Sequence, residues 1–465
     1  MPSEKNFPSL RLRCAMLPYK LFWLLGLPFA LIYLFLRGRK DRLYTQFLGE
    51  RFGFYRQNLN ADLWVHAVSL GELRSAAPII QAFLDRGQRV VVSNFTPAGR
   101  RETMRMFEGA ITAGDLAVVY APAEYHWCYA RFFRAFKPNL GLVMEVELWP
   151  QMVFSARRAG VALFLCNSQY PEHSFKRDSG RILGARGDLI AGYAGVLAKS
   201  EIQEARFRAF GASNVEIMGE TRFDQPIAPH LLDASAALTR LGVLGARPVV
   251  TLASVVVGED AIYLQAIEQI QARARKAGNP LPLFIYVPRA PERFEECYEL
   301  LIEQGQRVER RCDLFDENLN MITPVQSQTD VLLGDSLGEM YFYLDLCHAA
   351  IVGGGFLDSG AHNIIEPLAL AKPVFVGPVT WSIEYPAQEA LQAGVLAQVA
   401  SADELAERLY ERLYELKDRD HMSAKAAAFF QAHEGGGAKA VAHLPDMLVR
   451  AGYQRHGAKM KDVFK

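Results

Sequence analysis

VHAVSLGELRSAAPII, residues 65–80, joins an apolar run to a Ser-x-Gly-Glu turn and then to the start of a helical pattern. The spacing Ser69-x-x-Glu72 fits a capping box, in which serine and glutamate satisfy the orphan N–H groups of a helix start. It also fits a second role. Gly71 lets the backbone turn tightly and leaves the Glu72 carboxylate at the mouth of a cleft as a general base. Spacing alone does not choose between the two.

The same succession of apolar run and turn recurs along the chain. LWVHAV, RVVVSN, AVVYAP, LGLVMEV, VALFLCN, GVLAKS and VEIMG each read as a buried strand bounded by Gly, Pro, Asn or Ser, with helical stretches such as EIQEARFRAFGA between them. Such alternation predicts an α/β fold, a parallel sheet with helices on both faces. The pattern breaks between Pro226 and Pro229 and restarts near Arg247, where PVVTLAS, LFIYVP, DVLLG, AAIVGGG and PVFVGP form a second series. The chain therefore reads as an N-terminal anchor segment (1–45), a first Rossmann-like domain (46–225), a linker (226–246) and a second Rossmann-like domain with C-terminal helices (247–465). A short low-complexity stretch, HEGGG, lies at 433–437, and the closing GAKMKDVFK reads as a frayed basic tail.

Composition sets the outer limits. At 465 residues the chain is too long for one ordinary core. Half the residues are hydrophobic and Lys+Arg equals Asp+Glu at 51 each, which argues against disorder and against a nucleic-acid-binding surface. Any phosphate recognition has to be local. The 6 cysteines are scattered without a close pair, as neither a zinc knuckle nor a disulfide framework would be. From Leu21 to Leu36 the run LFWLLGLPFALIYLFL carries no charge and is followed by Arg37, Arg39, Lys40 and Arg42. As a helix this run covers roughly 24 Å, short of a hydrocarbon core of roughly 30 Å. No small-x-small cleavage site follows, so an uncleaved membrane anchor is expected. Basic residues on both sides leave its orientation open.

Chemistry-bearing residues gather just after apolar runs. In LVMEVELWP (142–150), Glu145 and Glu147 follow a strand, and alternation would put both on one face. GDSLGE and GGGFLDSGAHN are glycine-containing turns, the second leading into a helix near Ile364, where backbone N–H groups make a local anion site. Pro367 is most comfortable at the first helical position, which would make Glu366 the N-cap. Arg289 follows the strand in FIYVPRAPERF directly. No metal-binding Asp-x-Asp follows a strand, and Asp418-Arg419-Asp420 reads as a solvated helix face.

HAVSLGE, TPAGRRET, EVELWP, KSEIQEARFRAFGA, GETRFDQP, VPRAPERF, GDSLGE and GAHNIIEPLALAKPVFVGP, taken together and in this order, resemble the bacterial 3-deoxy-D-manno-octulosonic acid (Kdo) transferases. The resemblance runs from the apolar segment to about residue 400. It implies a GT-B glycosyltransferase fold, with two Rossmann-like domains facing a cleft and the nucleotide held by the second. It further implies an inverting transfer of Kdo from CMP-Kdo to a lipid A precursor, with no metal and no cofactor, at the cytoplasmic face of the inner membrane. By this resemblance Glu72 is the general base. Glu145, with Glu147 as the alternative, meets developing charge, and Arg222 stands where the family has a lysine stabilising the transition state. Pro288, Arg289, Leu337, Gly338, Glu339, Asn363, Ile364, Ile365 and Glu366 match the stretches that bind CMP. The chain departs from the family at Ala253–Glu259, which lacks a histidine, at Asn167–Pro171, which lacks an arginine, and at Ala361, where a glycine is usual. Two rival readings are a GT-B-fold sugar-nucleotide epimerase, which has no use for the 21–36 segment, and a non-catalytic protein that binds CMP or lipid.

Overall fold

The computed structural model describes residues 7–179, 185–242, 244–416 and 419–463. The chain divides into two compact units, Met1–Gln225 with Glu434–Lys465, and Pro226–His433.

The first unit is built on seven parallel strands. These are β1 (Leu63–Ala67), β2 (Val90–Asn94), β3 (Leu116–Tyr120), β4 (Leu140–Met144), β5 (Ala162–Ser168), β6 (Gly195–Ala198) and β7 (Val215–Ile217), in the spatial order β3-β2-β1-β4-β5-β6-β7. Every residue of β1 to β6 is buried, because helices cover both faces. On one face Leu63, Val65 and Ala67 of β1 pack with Leu73, Ile79 and Ile80 of the helix Leu70–Leu84; on the other, Trp64 packs with Phe132 and Phe136. Strand order reverses between β1 and β4, the switch point at which open α/β sheets bind ligands.

The second unit repeats the plan with β8 (Val249–Val255), β9 (Leu283–Pro288), β10 (Val308–Arg310), β11 (Val331–Leu333), β12 (Ala349–Val352), β13 (Val374–Val376) and β14 (Leu396–Gln398), ordered β10-β11-β9-β8-β12-β13-β14 and parallel throughout. Its switch point lies between β8 and β12. The edge strands β10 and β14, of three residues each and only partly buried, are the ones the sequence reading did not list.

Three expectations are corrected. Residues 226–246 are no bare linker, because the helix Pro229–Arg240 sinks Leu231 and Leu238 into the second unit's core. The second domain does not run to residue 465, since Glu434–Lys465 belongs to the first unit. There the helix Gly436–Arg450 buries Ala440, Leu444, Met447 and Leu448 against the core beside the helix Leu70–Leu84. The glycines of HEGGG make that return. The Asp224 carboxylate accepts from the N–H of Gly435 (2.7 Å) and Gly437 (2.6 Å), and a Cβ on Gly436 would stand 3.2 Å from the Glu220 carbonyl carbon. Nor is the tail frayed: Gln454–Val463 is a helix whose Met460 is buried. The side chains at 418–420 lie outside the described residues.

The apolar segment is part of a longer helix, Leu10–Gly38, that contains Pro18 and Pro28. Its outer side chains, among them Leu21, Leu25, Phe29 and Phe35, are exposed.

Candidate active site

At the first switch point, β1 ends and the helix Leu70–Leu84 begins, with Ser69 as N-cap. Ser69 Oγ accepts from the Glu72 N–H at 3.3 Å and donates to Glu72 Oε1 at 3.0 Å, while Glu72 Oε2 accepts from the Val68 N–H at 2.7 Å. The capping interaction is therefore present. It does not consume the carboxylate. Burial pushes the Glu72 carboxyl up to about 7, opposed by the Val68 and Ser69 bonds and reinforced by the negative charges of Glu147 and Glu145. The capping reading of the Ser-x-Gly-Glu turn is met, and the carboxylate keeps a raised proton affinity beside it.

Glu145 follows β4 with φ +56, a left-handed conformation that costs a non-glycine residue energy and ends the strand's alternation. Glu145 and Glu147 consequently do not share a strand face as paired neighbours. Glu147 Oε2 accepts from Trp149 Nε1 at 2.7 Å, and burial raises its carboxyl against that bond. Glu145 Oε1 accepts from Asn167 Nδ2 at 3.1 Å and from Lys199 Nζ at 3.0 Å. Lys199 also meets Glu220 Oε2 at 2.7 Å, and Asn167 Nδ2 donates to Glu220 Oε1 at 2.8 Å. One buried ammonium thus serves two carboxylates, with side-chain exposures of 6% for Lys199, 28% for Glu145 and 3% for Glu220.

The electrostatics of this cluster are asymmetric. Burial raises the Glu145 carboxyl, and Lys199 and Arg222 counter that only in part. Burial also opposes ionisation of Glu220, but Lys199 and Arg222 outweigh it and hold that carboxyl below the usual range. Burial disfavours the Lys199 charge, yet Glu145 and Glu220 keep its pKa raised. Arg222 lies in the short turn Thr221–Asp224, where its N–H donates to Glu220 Oε1 at 3.2 Å. The structure therefore gathers Glu72, Glu145 and Arg222 within one electrostatic neighbourhood. Sequence reasoning assigned no role to Lys199, Glu220 or Asn167. Lys199 ends GVLAK, and a lysine closing a buried strand is the signal that was available.

His66 on β1 was likewise unassigned. It is fully buried, its Nδ1 lies 2.9 Å from Ser93 Oγ, and burial lowers its pKa to about 3, so it is neutral. Its ring packs edge-on against Trp149 at 4.9 Å.

In the second unit the glycine turn after β12 approaches the β8 bulge so closely that a Cβ on Gly353 would stand 2.4 Å from the Ser254 carbonyl oxygen. Gly354 adopts φ +89. The buried Glu259 carboxylate accepts from the N–H of Gly354 at 2.7 Å and of Phe356 at 2.9 Å. Those two donors are spent on the protein itself.

Asn363 Oδ1 accepts from the Ile365 N–H at 3.0 Å, and the helix runs Ile365–Ala369. Glu366 is consequently the second helical residue and not the N-cap, and Pro367 is the third. Ile364 and Ile365 are buried, so they offer a ligand only backbone atoms. Arg289, exposed at the end of β9 after Pro288, comes close to His362; burial first and the Arg289 charge second lower that imidazole to about 4. The β9 end and the 353–363 loop are thus brought together. In the turn after β11, Leu337 is exposed and Gly338 takes φ +84. Glu339 is fully engaged there, by Arg311 Nη2 at 2.5 Å, Arg311 Nε at 2.8 Å, Tyr343 Oη at 3.1 Å and the Ser336 hydroxyl.

Two seven-stranded parallel domains of this kind define a GT-B fold. The crystal structure of a UDP-GlcNAc 2-epimerase from Neisseria meningitidis, bound to UDP-GlcNAc, superposes with TM-score 0.53 over 83% of this chain and 99% of its own at 15% identity, a likeness of fold alone. Sequence is more specific. Residues 46–225 match the family model described as 3-deoxy-D-manno-octulosonic-acid transferase. A 3-deoxy-D-manno-octulosonic acid transferase from Bordetella pertussis is 37% identical over 84% of this chain and 88% of its own length; one from Haemophilus influenzae is 29% identical over 76% and 80%. The chain belongs to the Kdo transferase family and is a glycosyltransferase.

Proposed function

We propose that this enzyme transfers Kdo from CMP-Kdo to a lipid A precursor, lipid IVA, at the cytoplasmic face of the inner membrane, with inversion and without a metal. The acceptor hydroxyl oxygen attacks the anomeric carbon of Kdo, the bond from that carbon to the CMP phosphate oxygen breaks, and the hydroxyl proton passes to Glu72. The observation that carries this reading is the half-buried Glu72 carboxylate at the first switch point, with its pKa moved up to about 7. A base of that pKa combines a substantial ionised fraction with real proton affinity at neutral pH.

Arg222 and Lys199 supply positive charge beside Glu145, and Arg289 supplies it in the second domain, where departing CMP gains phosphate charge. The Glu145 carboxylate suits the oxocarbenium-like sugar centre. CMP is held through Arg289, the backbone of Leu337 and Gly338, and Asn363 with the backbone of Ile364 and Ile365. The remaining matched positions are supports, Pro288 by ending β9 and Glu339 by fixing its turn. In this reading Glu366 accepts sugar hydroxyls. The Leu10–Gly38 helix holds the enzyme at the bilayer where its lipid acceptor resides.

The test is incubation of membranes containing the protein with CMP-Kdo and a tetra-acylated lipid A precursor, followed by mass spectrometry of the lipid. A Kdo mass gain is expected with the native chain and almost none with Glu72→Gln; equal gain from both removes Glu72 from the mechanism.

A further inference from the structure

The helix Leu10–Gly38 is the most apolar exposed element among the described residues, yet both of its ends are tied to the same α/β unit. On the near side, Leu12 and Met16 are buried in that unit, at 2% and 7% exposure. Tyr19 Oη donates to Glu124 Oε2 at 2.9 Å, the Trp23 carbonyl accepts from Tyr125 Oη at 2.7 Å, and the Ser9 hydroxyl bonds Asp188. Glu124 is itself buried and takes three further donors, Tyr129 Oη at 2.9 Å and the N–H groups of Gln151 at 2.8 Å and Met152 at 3.2 Å. On the far side, Asp41 pairs with Arg101 at 2.7 Å, the Leu43 carbonyl accepts from Tyr120 Oη at 2.9 Å, and Glu50 pairs with Arg100 at 2.5 Å.

A helix crossing the bilayer would leave residues 10–23 on the face opposite the catalytic domain. That would break all the near-side bonds and strip a partner from a buried carboxylate that is otherwise fully satisfied. The run beyond the last near-side tie, Leu24–Leu36, is also too short. It covers roughly 20 Å at about 1.5 Å per residue, against a hydrocarbon core of roughly 30 Å.

Charge agrees with this geometry. Arg11, Arg13 and Lys20 at one end and Arg39, Lys40 and Arg42 at the other are exposed, and no Asp or Glu occurs between residues 5 and 40. A helix lying in the interface meets anionic headgroups at both ends, whereas a spanning one concentrates its basic residues on one side.

We infer that Leu10–Gly38 is an in-plane anchor: it sinks the outer face formed by Leu21, Leu25, Phe29, Ile32 and Phe35 into one leaflet and returns the chain to the side it came from. This rests on the membrane association proposed above, which co-sedimentation of the full chain with membranes tests separately. The topology is tested with a membrane-impermeant maleimide applied to intact spheroplasts and to inverted inner-membrane vesicles. In a Cys312→Ser chain, Cys14 is the exposed native thiol among the described cysteines. A second chain carries Cys14→Ser, Cys312→Ser and Lys40→Cys. In-plane anchoring predicts that both thiols label in inverted vesicles and that neither labels in spheroplasts. Labelling of Cys14 in spheroplasts, or its protection in both preparations, overturns the inference. A chain absent from the membrane fraction overturns the association itself.

Discussion

The two domains share one strand plan and hold the carboxylate at its switch point differently. After β1 in the first, Glu72 is held by a serine hydroxyl and one backbone N–H, stays half-buried, and has its pKa moved to about 7. After β8 in the second, Glu259 is fully buried, and two backbone N–H groups of the glycine turn consume it. Each carboxylate accepts from two donors, so what separates them is exposure: Glu72 keeps contact with water while Glu259 has none, and only the former is open to a substrate. Position after the strand does not decide it.

The sharpest way to break this contrast is Glu72→Gln. Loss of a general base is expected to lower turnover by about 10² to 10⁴, with CMP affinity unchanged in calorimetric titration. Loss of CMP binding as well would mean that Glu72 is structural, as Glu259 is. The native pH profile carries the sign. Glu72 acts when ionised, so the rate should fall as pH drops through about 7 and reach a plateau above it.

Lys199→Met comes next, because it leaves Glu145 and Glu220 without their shared cation. Breaking such a buried pair is expected to cost about 3–5 kcal/mol in urea unfolding. Adding Glu220→Gln should restore part of that loss. Although burial opposes it, Lys199 and Arg222 hold the Glu220 carboxyl below its ordinary value. That contribution to stability is therefore fully present above the unfolded carboxylate pKa and lost as pH falls through the folded one. A penalty for Lys199→Met that is the same at pH 7 and well below pH 4 would sink the account.

Glu259→Gln keeps the shape but offers one acceptor to two N–H groups. A cost of about 1–3 kcal/mol is expected, with weaker CMP binding and an unchanged acid limb in the rate profile. A shift of that limb would couple the second domain's carboxylate to the base. The smallest effect is Ser69→Ala. Loss of the N-cap should cost about 1 kcal/mol, and because the hydroxyl favours the ionised form, the acid limb should move to higher pH.

Much of this was legible before the structure. Apolar runs gave twelve of the fourteen strands among the described residues, and the two missed, β10 and β14, are short and only partly buried. Glu72 and Glu145 stood out because each follows an apolar run, whereas Arg222 came only from the resemblance of its motif. Lys199 and Glu220 did not stand out, since one lysine and one glutamate 21 positions apart look like ordinary solvated charges until β6 and the β7 turn are laid side by side. The return of residues 434–465 was hidden for the same reason: the apolar stripe of Gly436–Arg450 shows that it needs a core to cover it, without showing which.

By itself the sequence determined the local alphabet, namely parallel α/β units, turns that cap helices, a long uncharged apolar segment and the family to which the motifs belong. These follow from periodicity and short-range hydrogen bonding, which act over a few residues. Only the tertiary structure decided which carboxylates keep their proton affinity, which domain the last helices complete, and that both ends of the apolar helix Leu10–Gly38 fasten to one body. Those properties depend on burial and on partners brought together from distant positions, and no spacing along the chain encodes them.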